Sequence, residues 1–116
     1  MDLFIQYGIA AAIEAIEDSG WKATNELAAN RTGIILGSGI GGLKMIEETS
    51  VKFHTENNAG HVSIQYGFTG PNHAAATACS TGAHAIGDAM RMIQYGNVDV
   101  MIAGGAEAPI TPVGVA

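Results

Sequence analysis

Two short apolar runs constrain the fold of this chain more than any other feature of its sequence. Residues 31–36 read RTGIIL and residues 98–103 read VDVMIA, and the runs are bounded by Gly37 and Gly104. Apolar runs of this length are typical of strands that are buried on both faces, as in parallel sheets. Because parallel strands need long crossovers that are usually helical, strands that alternate with helices predict an α/β fold.

Around these two strands the sequence has the spacing of helices. Helices are predicted over residues 3–19, 43–53, 59–66 and 79–95. Three of them are followed by a glycine that can end a helix, namely Gly20, Gly67 and Gly96. No linker or repeat interrupts the 116 residues, so the length indicates one domain.

The last predicted helix carries a regular pattern of small and apolar residues. Gly82, Ile86, Ala89 and Ile93 recur at the spacing of one helix face. Before this helix, residues 73–78 form a run of small residues that we interpret as a third strand, although alanines alone would equally allow a helix.

Composition excludes several classes of partner. Five Lys and Arg against eleven Asp and Glu give a net charge of −6 and a pI near 4.9, without the basic surface that phosphates require. We therefore expect no binding to nucleic acid or to an anionic membrane. No apolar run approaches the roughly 20 residues of a bilayer span, no signal sequence is visible, and a single cysteine cannot form an internal disulfide. These features favour a cytoplasmic protein, and a charged content of 14% suggests that much of its surface is covered.

The glycine-rich segment GSGIGG, residues 37–42, matches the dinucleotide-binding pattern G-x-G-x-x-G between a strand and a helix. The second strand of such a unit, ending in an acidic residue about 20 positions later, is missing from the sequence. The alternative is that the glycines only allow a tight turn and close packing. The sequence favours this structural interpretation over nucleotide binding.

Cys79 is the only cysteine, and it stands where a run of small residues meets a predicted helix. The N-terminus of a helix favours a thiolate, which is the form that attacks a carbonyl carbon. Ala78 and Gly82 leave room for a substrate, as in the sharp turns that expose a nucleophile for acyl transfer. Free cysteines are, however, often buried and inert, so both interpretations stay open at this point.

None of the four histidines is a convincing base for this thiol. His84 follows Cys79 by five residues, which places the two side chains on different faces of a helix. With Asp88 and Arg91 it forms a stripe that is best interpreted as hydrogen-bonded surface. The other histidines, His54, His61 and His73, have no metal-ligand spacing, so neither a metal nor a cofactor is predicted.

The sequence from Thr77 to the end, TACSTGAHAIGDAMRMIQYGNVDVMIAGGAEAPITPVGVA, resembles the nucleophile region of the type II β-ketoacyl-acyl-carrier-protein synthases. The segments MDLFIQYGIAAA, RTGIILGSGIGGL, GHVSIQYGFTGPN and VDVMIAGGAEA resemble successive parts of the same family, in the same order. Thiolases and polyketide ketosynthases have related cysteine turns, but STGAHAIGDA after Cys79 is more similar to the elongating synthases, the synthase II type.

This resemblance implies a thiolase-like α/β fold, layered α-β-α-β-α in the complete family, of which residues 1–116 are an incomplete N-terminal half. It implies that Cys79 heads a central helix and takes an acyl group from acyl-carrier protein as a thioester. Decarboxylation of malonyl-carrier protein then yields a carbanion that attacks the acyl-cysteine, releases CO2 and extends the chain by two carbons in fatty acid biosynthesis. The backbone N–H of Cys79 would be one oxyanion donor, the segment 73–78 would lie at a homodimer interface, and GSGIGG would be structural.

The sequence departs from the family pattern in three places. The opening strand is absent before Met1, and the acyl-pocket segment is absent between Asn58 and Ala59. The C-terminal half, which supplies two histidines, a lysine and the other oxyanion donor, would follow Ala116. We therefore expect the 116 residues alone not to catalyse condensation, and to expose apolar surface on the central helix. The alternatives are a non-catalytic remnant of such an enzyme and, less favoured, a dinucleotide-binding module.

Overall fold

The computed structural model describes residues 2–41, 58–110 and 112. The elements in these ranges, in chain order, are α1 (Leu3–Ser19), α2 (Glu26–Asn30), β1 (Thr32–Gly37), α3 (Asn58–Tyr66), β2 (Asn72–His73), a 3-10 turn (Ala78–Ser80), α4 (Thr81–Gln94) and β3 (Val100–Gly105). The three strands form a parallel sheet in the order β2-β1-β3, which confirms the predicted α/β class and parallel pairing.

Strand β1 lies in the middle of this sheet and is buried along its whole length. Its side chains alternate between two helical layers, as the pleat of a strand requires. Ile34 and Leu36 pack with α1 and α3, whereas Ile35 packs with Ala85 and Ala89 of α4 on the opposite face. The described residues therefore form an α/β/α arrangement in which the sheet separates α1 and α3 from α4.

Most predicted helices are present with the expected bounds. Helix α1 spans residues 3–19 as predicted, and α3 begins one residue earlier than predicted. The three predicted stop glycines adopt left-handed backbone with φ between 66° and 74°, a conformation that glycine tolerates best. The predicted helix over residues 43–53 lies outside the described residues. Helix α2 was not predicted, and Asn25 caps its first turn by accepting a hydrogen bond from the Ala28 N–H at 2.8 Å.

The predicted strand over residues 73–78 is wrong in most of its length. Strand β2 consists of Asn72 and His73 only, and residues 74–77 have no regular structure. Alanine is a weak strand former, and the Ala75 carbonyl packs directly against Gly37, in the space that a Cβ atom would need. The chain therefore leaves the sheet early and turns toward α4.

The last strand is displaced by two residues from its prediction. Strand β3 begins at Val100, and Gly104 and Gly105 belong to it instead of ending it. They pair with Leu36 and Gly37, so the register with β1 continues to the end of both strands. Asp99 lies just before the strand, where its N–H donates to the Arg31 carbonyl at 2.9 Å.

Of the four residues that the spacing places on one face of α4, Gly82, Ile86, Ala89 and Ile93, only Ala89 is buried. Thr81, Ala85 and Ala89 are the buried residues of this helix, whereas Ile86 is 60% exposed and Ile93 is 44% exposed. The small residues face the sheet because α4 packs closely on β3 and β1. The larger side chains consequently form an exposed apolar face, as expected for a helix that lacks part of its cover. In the described part of the chain, no helix is long and apolar enough to cross a membrane.

Candidate active site

Cys79 lies in the 3-10 turn between the end of the sheet and helix α4, and its side chain is exposed. The helix proper begins at Thr81, so Cys79 precedes α4 by two residues instead of being its first residue. The residue before it, Ala78, has a positive φ of 50°. This left-handed conformation is costly for a residue with a Cβ atom and often marks a functional turn. It makes the chain reverse sharply at the cysteine.

Thr81 holds this turn in place from inside the fold. Its side chain is only 4% exposed, and its hydroxyl donates to the Ala78 carbonyl at 2.8 Å. The same hydroxyl oxygen accepts the Thr77 N–H at 2.9 Å. A buried hydroxyl that both donates and accepts a hydrogen bond leaves no polar group unsatisfied, so it stabilises the backbone it binds. Thr81 therefore fixes the two residues that precede Cys79.

Glycines form the wall of a cleft next to Cys79. A Cβ atom on Gly39 would lie 2.5 Å from the Ala78 carbonyl oxygen and 2.8 Å from the Ala78 Cα, so that only glycine allows this approach. The cleft measures about 230 Å³. It is lined by Gly37, Ser38, Gly39, Ala78, Cys79, Thr81, Gly82, Gly105, Ala106 and Glu107. An exposed thiol on a sharp turn beside such a cleft can be brought against the carbonyl carbon of an acyl group.

The backbone of the GSGIGG segment binds a carboxylate of this chain. Glu107, two residues after β3, accepts the Ile40 N–H at 3.1 Å and the Gly41 N–H at 3.4 Å. The Ser38 hydroxyl also donates to this carboxylate. Partial burial raises the pKa of Glu107, but hydrogen bonds from Ser38 and from the backbone of residues 39–41 outweigh it and lower the pKa below its usual value. Amide groups that would otherwise suit a phosphate are thus already used, which supports the structural interpretation of the segment.

The structure describes three of the four histidines, His61, His73 and His84. His84 projects from the start of α4, and its Nδ1 lies 2.8 Å from the Thr77 hydroxyl. Arg91 donates to Gln94 at 3.0 Å. His61 lies on α3 and His73 on β2, whereas His54 lies outside the described residues. No group of three His, Cys, Asp or Glu side chains able to hold a metal ion occurs among the residues that the structure describes.

Sequence reasoning selected Cys79, Ala78 and Gly82 for this site, and the structure brings all three to one cleft. It missed Thr81 and Glu107. The only available signal for Thr81 was a hydroxyl residue inside a run of small residues. For Glu107 the signal was an acidic residue just after a buried strand. A side chain at the end of one parallel strand can reach the loop that follows the neighbouring strand.

The chain is similar to known proteins over its whole length. Residues 1–116 match the family model described as β-ketoacyl synthase, N-terminal domain. The chain is 52% identical over 132 residues to 3-oxoacyl-[acyl-carrier-protein] synthase 2 of Vibrio harveyi, covering 100% of the chain and 32% of that protein. It is 46% identical over 129 residues to the mitochondrial 3-oxoacyl-[acyl-carrier-protein] synthase of Arabidopsis thaliana, covering 97% of the chain and 28% of that protein.

Solved structures give the same result. The fold matches a type II polyketide ketosynthase, solved with its acyl-carrier protein, with a TM-score of 0.83 and 26% identity over 97% of this chain and 32% of that one. A β-ketoacyl synthase from Burkholderia phymatum matches with a TM-score of 0.72 and 27% identity, over 100% of this chain and 32% of the other. These neighbours are thiolase-like ketosynthases, which confirms the fold expected from the resemblance. The chain spans about a third of the length of these relatives, and it belongs to the β-ketoacyl synthase family.

Proposed function

We propose that Cys79 is the acyl-accepting nucleophile of a 3-oxoacyl-acyl-carrier-protein synthase. The observation that carries the proposal is its exposed position on a turn with left-handed backbone, beside a glycine-lined cleft. The thiolate attacks the carbonyl carbon of an acyl-carrier-protein thioester, forms a new carbon–sulfur bond, and displaces the thiol of the carrier protein. The backbone N–H of Cys79 is one donor to the oxyanion that forms in this step.

The second half-reaction decarboxylates malonyl-carrier protein, and its carbanion attacks the acyl-cysteine to give a product longer by two carbons. Relatives at 50–52% identity carry the name of this activity. One structural neighbour is a ketosynthase in complex with an acyl-carrier protein, which supports carrier proteins as partners. The family supplies two histidines and a lysine to this step from its C-terminal half. We therefore expect Cys79 to accept an acyl group when the C-terminal half of the enzyme is supplied, and residues 1–116 alone not to release condensed product.

An internal deletion of the acyl-pocket segment between Asn58 and Ala59 is part of the proposal. The match to the Vibrio cholerae relative spans 133 residues against the 116 of this chain, so 17 aligned positions have no residue here. In relatives this segment contributes to the acyl pocket and to the dimer contact.

We further propose a homodimer in the cytoplasm. Strand β2 lies at an edge of the sheet, and the residues from Asn72 to Ala74 are exposed there. An edge with unpaired backbone groups is a ready surface for pairing with another chain. The net charge of −6 and the single cysteine support a reducing, aqueous compartment.

The direct test supplies the purified chain with the C-terminal half of a relative, adds acyl-loaded carrier protein, and analyses the peptide that contains Cys79 by mass spectrometry. We expect the acyl mass on Cys79, its loss in Cys79→Ala, and its retention in the matched control Ser80→Ala. If Cys79 stays unacylated while it still reacts with iodoacetamide, the nucleophile assignment is wrong and the non-catalytic remnant is favoured. Condensed product from the chain alone with both carrier-protein substrates would contradict the expected need for further residues.

A further inference from the structure

Glu107 connects two parts of the chain that lie far apart in sequence. Its carboxylate receives hydrogen bonds from the Ser38 hydroxyl and from the Ile40 and Gly41 N–H groups, 66 to 69 positions away. The Gly41 N–H also donates to the Ser38 hydroxyl oxygen at 3.0 Å, so that the loop is closed on itself around the carboxylate. Hydrogen bonds to a charged acceptor are stronger than those between neutral groups.

The loop that Glu107 holds is in direct contact with the turn that carries Cys79. Gly39 packs against the backbone of Ala78, at a distance that leaves no space for a Cβ atom. On the other side of the cleft, a Cβ atom on Gly105 would lie 3.1 Å from the Gly82 Cα. Both contacts are between backbone atoms, and backbone atoms cannot move aside as the end of a flexible side chain can. A shift of the loop would therefore be transmitted to Ala78 and to the cleft.

From this chain of contacts we infer that Glu107 is a positioning residue for Cys79: its carboxylate clamps residues 38–41 against Ala78 and so sets the shape of the acyl cleft. The inference rests on the proposed function in one respect, because the shape of the cleft matters only for a thiol that receives an acyl group. Glu107 needs no contact with the substrate in this role. Glu107 acts on Cys79 only by fixing the position of residues 38–41.

Hydrogen exchange at two amide groups measures how firmly the turn that carries Cys79 is held. The Thr77 N–H is bound to the Thr81 hydroxyl, and the Ser80 N–H donates to the Thr77 carbonyl at 3.1 Å. The Ile34 N–H, which donates to the Pro71 carbonyl at 2.8 Å in the centre of the fold, serves as the reference for general stability. Hydrogen exchange at these three amides separates a local loosening of the turn from a loss of overall stability.

The experiment compares Glu107→Gln with the wild-type chain and with Glu14→Gln, the same chemical change on the exposed surface of α1. We expect exchange at Thr77 and Ser80 to rise about fivefold in Glu107→Gln, with Ile34 unchanged, because Gln keeps one acceptor oxygen and the net loss is about that of one ordinary hydrogen bond. A second readout, with the C-terminal half supplied, is the rate of Cys79 acylation by a small acyl thioester, divided by its rate of alkylation with iodoacetamide. This ratio should fall by a similar factor, since the small alkylating reagent does not depend on the shape of the cleft.

Two results would overturn the inference. Faster exchange at Ile40 and Gly41 without a change at Thr77 and Ser80 would mean that the carboxylate fixes residues 38–41 but not the turn that carries Cys79. A parallel rise at Ile34 would mean that it contributes only to stability.

If Glu107→Gln does not fold, the same hydrogen exchange and rate measurements are made on Ser38→Ala, because this change removes a hydrogen bond of the same carboxylate. If the wild-type chain takes no acyl group with the C-terminal half supplied, the proposed function fails, while exchange at Thr77 and Ser80 still decides the role of Glu107.

Discussion

Ala78 shows how one backbone angle shapes the candidate site. Its φ of 50° is in the left-handed region, and its neighbour Cys79 is exposed by the resulting turn. We expect Ala78→Gly to stabilise the chain by about 0.5–1 kcal/mol because glycine adopts this angle without a Cβ clash. Ala78→Val should destabilise it by at least about 1 kcal/mol, since a branched side chain tolerates this region poorly. Urea unfolding measures both.

The matched control for Ala78→Gly is Ala83→Gly, on the exposed face of α4. The same change at a helical position should destabilise the chain by about 1 kcal/mol, because glycine is a poor helix former. If Ala78→Gly and Ala83→Gly shift the urea midpoint in the same direction, the left-handed backbone at Ala78 is not what shapes the turn.

Glu107 makes the stability of the chain depend on pH. Its pKa in the folded protein lies below the ordinary 4.5. Its contribution is therefore fully present above pH 4.5 and is lost as the pH falls through the lower folded value. We expect the unfolding midpoint of the wild-type chain to fall more steeply with acid than that of Glu107→Gln. Asp99, whose pKa is lowered by the hydrogen bond from Arg31, titrates in both proteins and cancels in the comparison. Identical pH profiles would show that this carboxylate gains nothing on folding.

Between elements, the loop after β1 and the turn before α4 approach more closely than any side chain would allow. A Cβ atom on Gly39 would meet backbone atoms of Ala78, whereas a Cβ atom on Gly87, in the middle of α4, would meet nothing within 4 Å. We expect Gly39→Ala to destabilise the chain by about 2 kcal/mol through overpacking. Gly87→Ala should stabilise it by about 0.5–1 kcal/mol through helix propensity. Thermal unfolding followed by circular dichroism measures both, and equal effects at the two glycines would contradict the close contact.

At the same scale, the sequence predicts some elements well and others poorly. Strand β1 and helix α1 follow from apolar patterns and from a stop glycine, which are local signals. The run of small residues before Cys79 carries no such signal, because alanine fits several conformations, and most of the predicted strand is absent there. The position of Glu107 just after a buried strand does not identify its partner Ser38, which is 69 positions away. Local chemistry makes Cys79 a candidate, but only the fold shows which residues hold its turn in place.

At the scale of the whole molecule, the described residues form a sheet whose two faces are covered unequally. Helices α1 and α3 enclose one cluster of buried side chains, whereas α4 alone covers the other. The outer face of α4 leaves three large apolar side chains at least 44% exposed, namely Ile86, Met90 and Ile93. Contiguous apolar surface of this kind is rare on soluble monomers. The low charged content of the sequence favours the same interpretation, because a surface that a partner covers is expected to carry few charges.

We therefore expect the 116-residue chain to self-associate and to unfold cooperatively only in the associated form, so that a monomer should lack a sharp, cooperative thermal transition. The unfolding midpoints predicted above are those of the associated chain, compared at one protein concentration. Ile86→Glu with Ile93→Glu should reduce association in light scattering, because the two charges interrupt the exposed face of α4 without touching its buried alanines. Leu27→Glu with Ile64→Glu is the control, since Leu27 is 69% exposed on α2 and Ile64 is 83% exposed on α3, and the pair gains the same two charges outside α4. An equal effect of this control pair would assign the change to net charge alone. A wild-type monomer that unfolds sharply would contradict the expectation, because it would mean that the exposed face of α4 needs no cover.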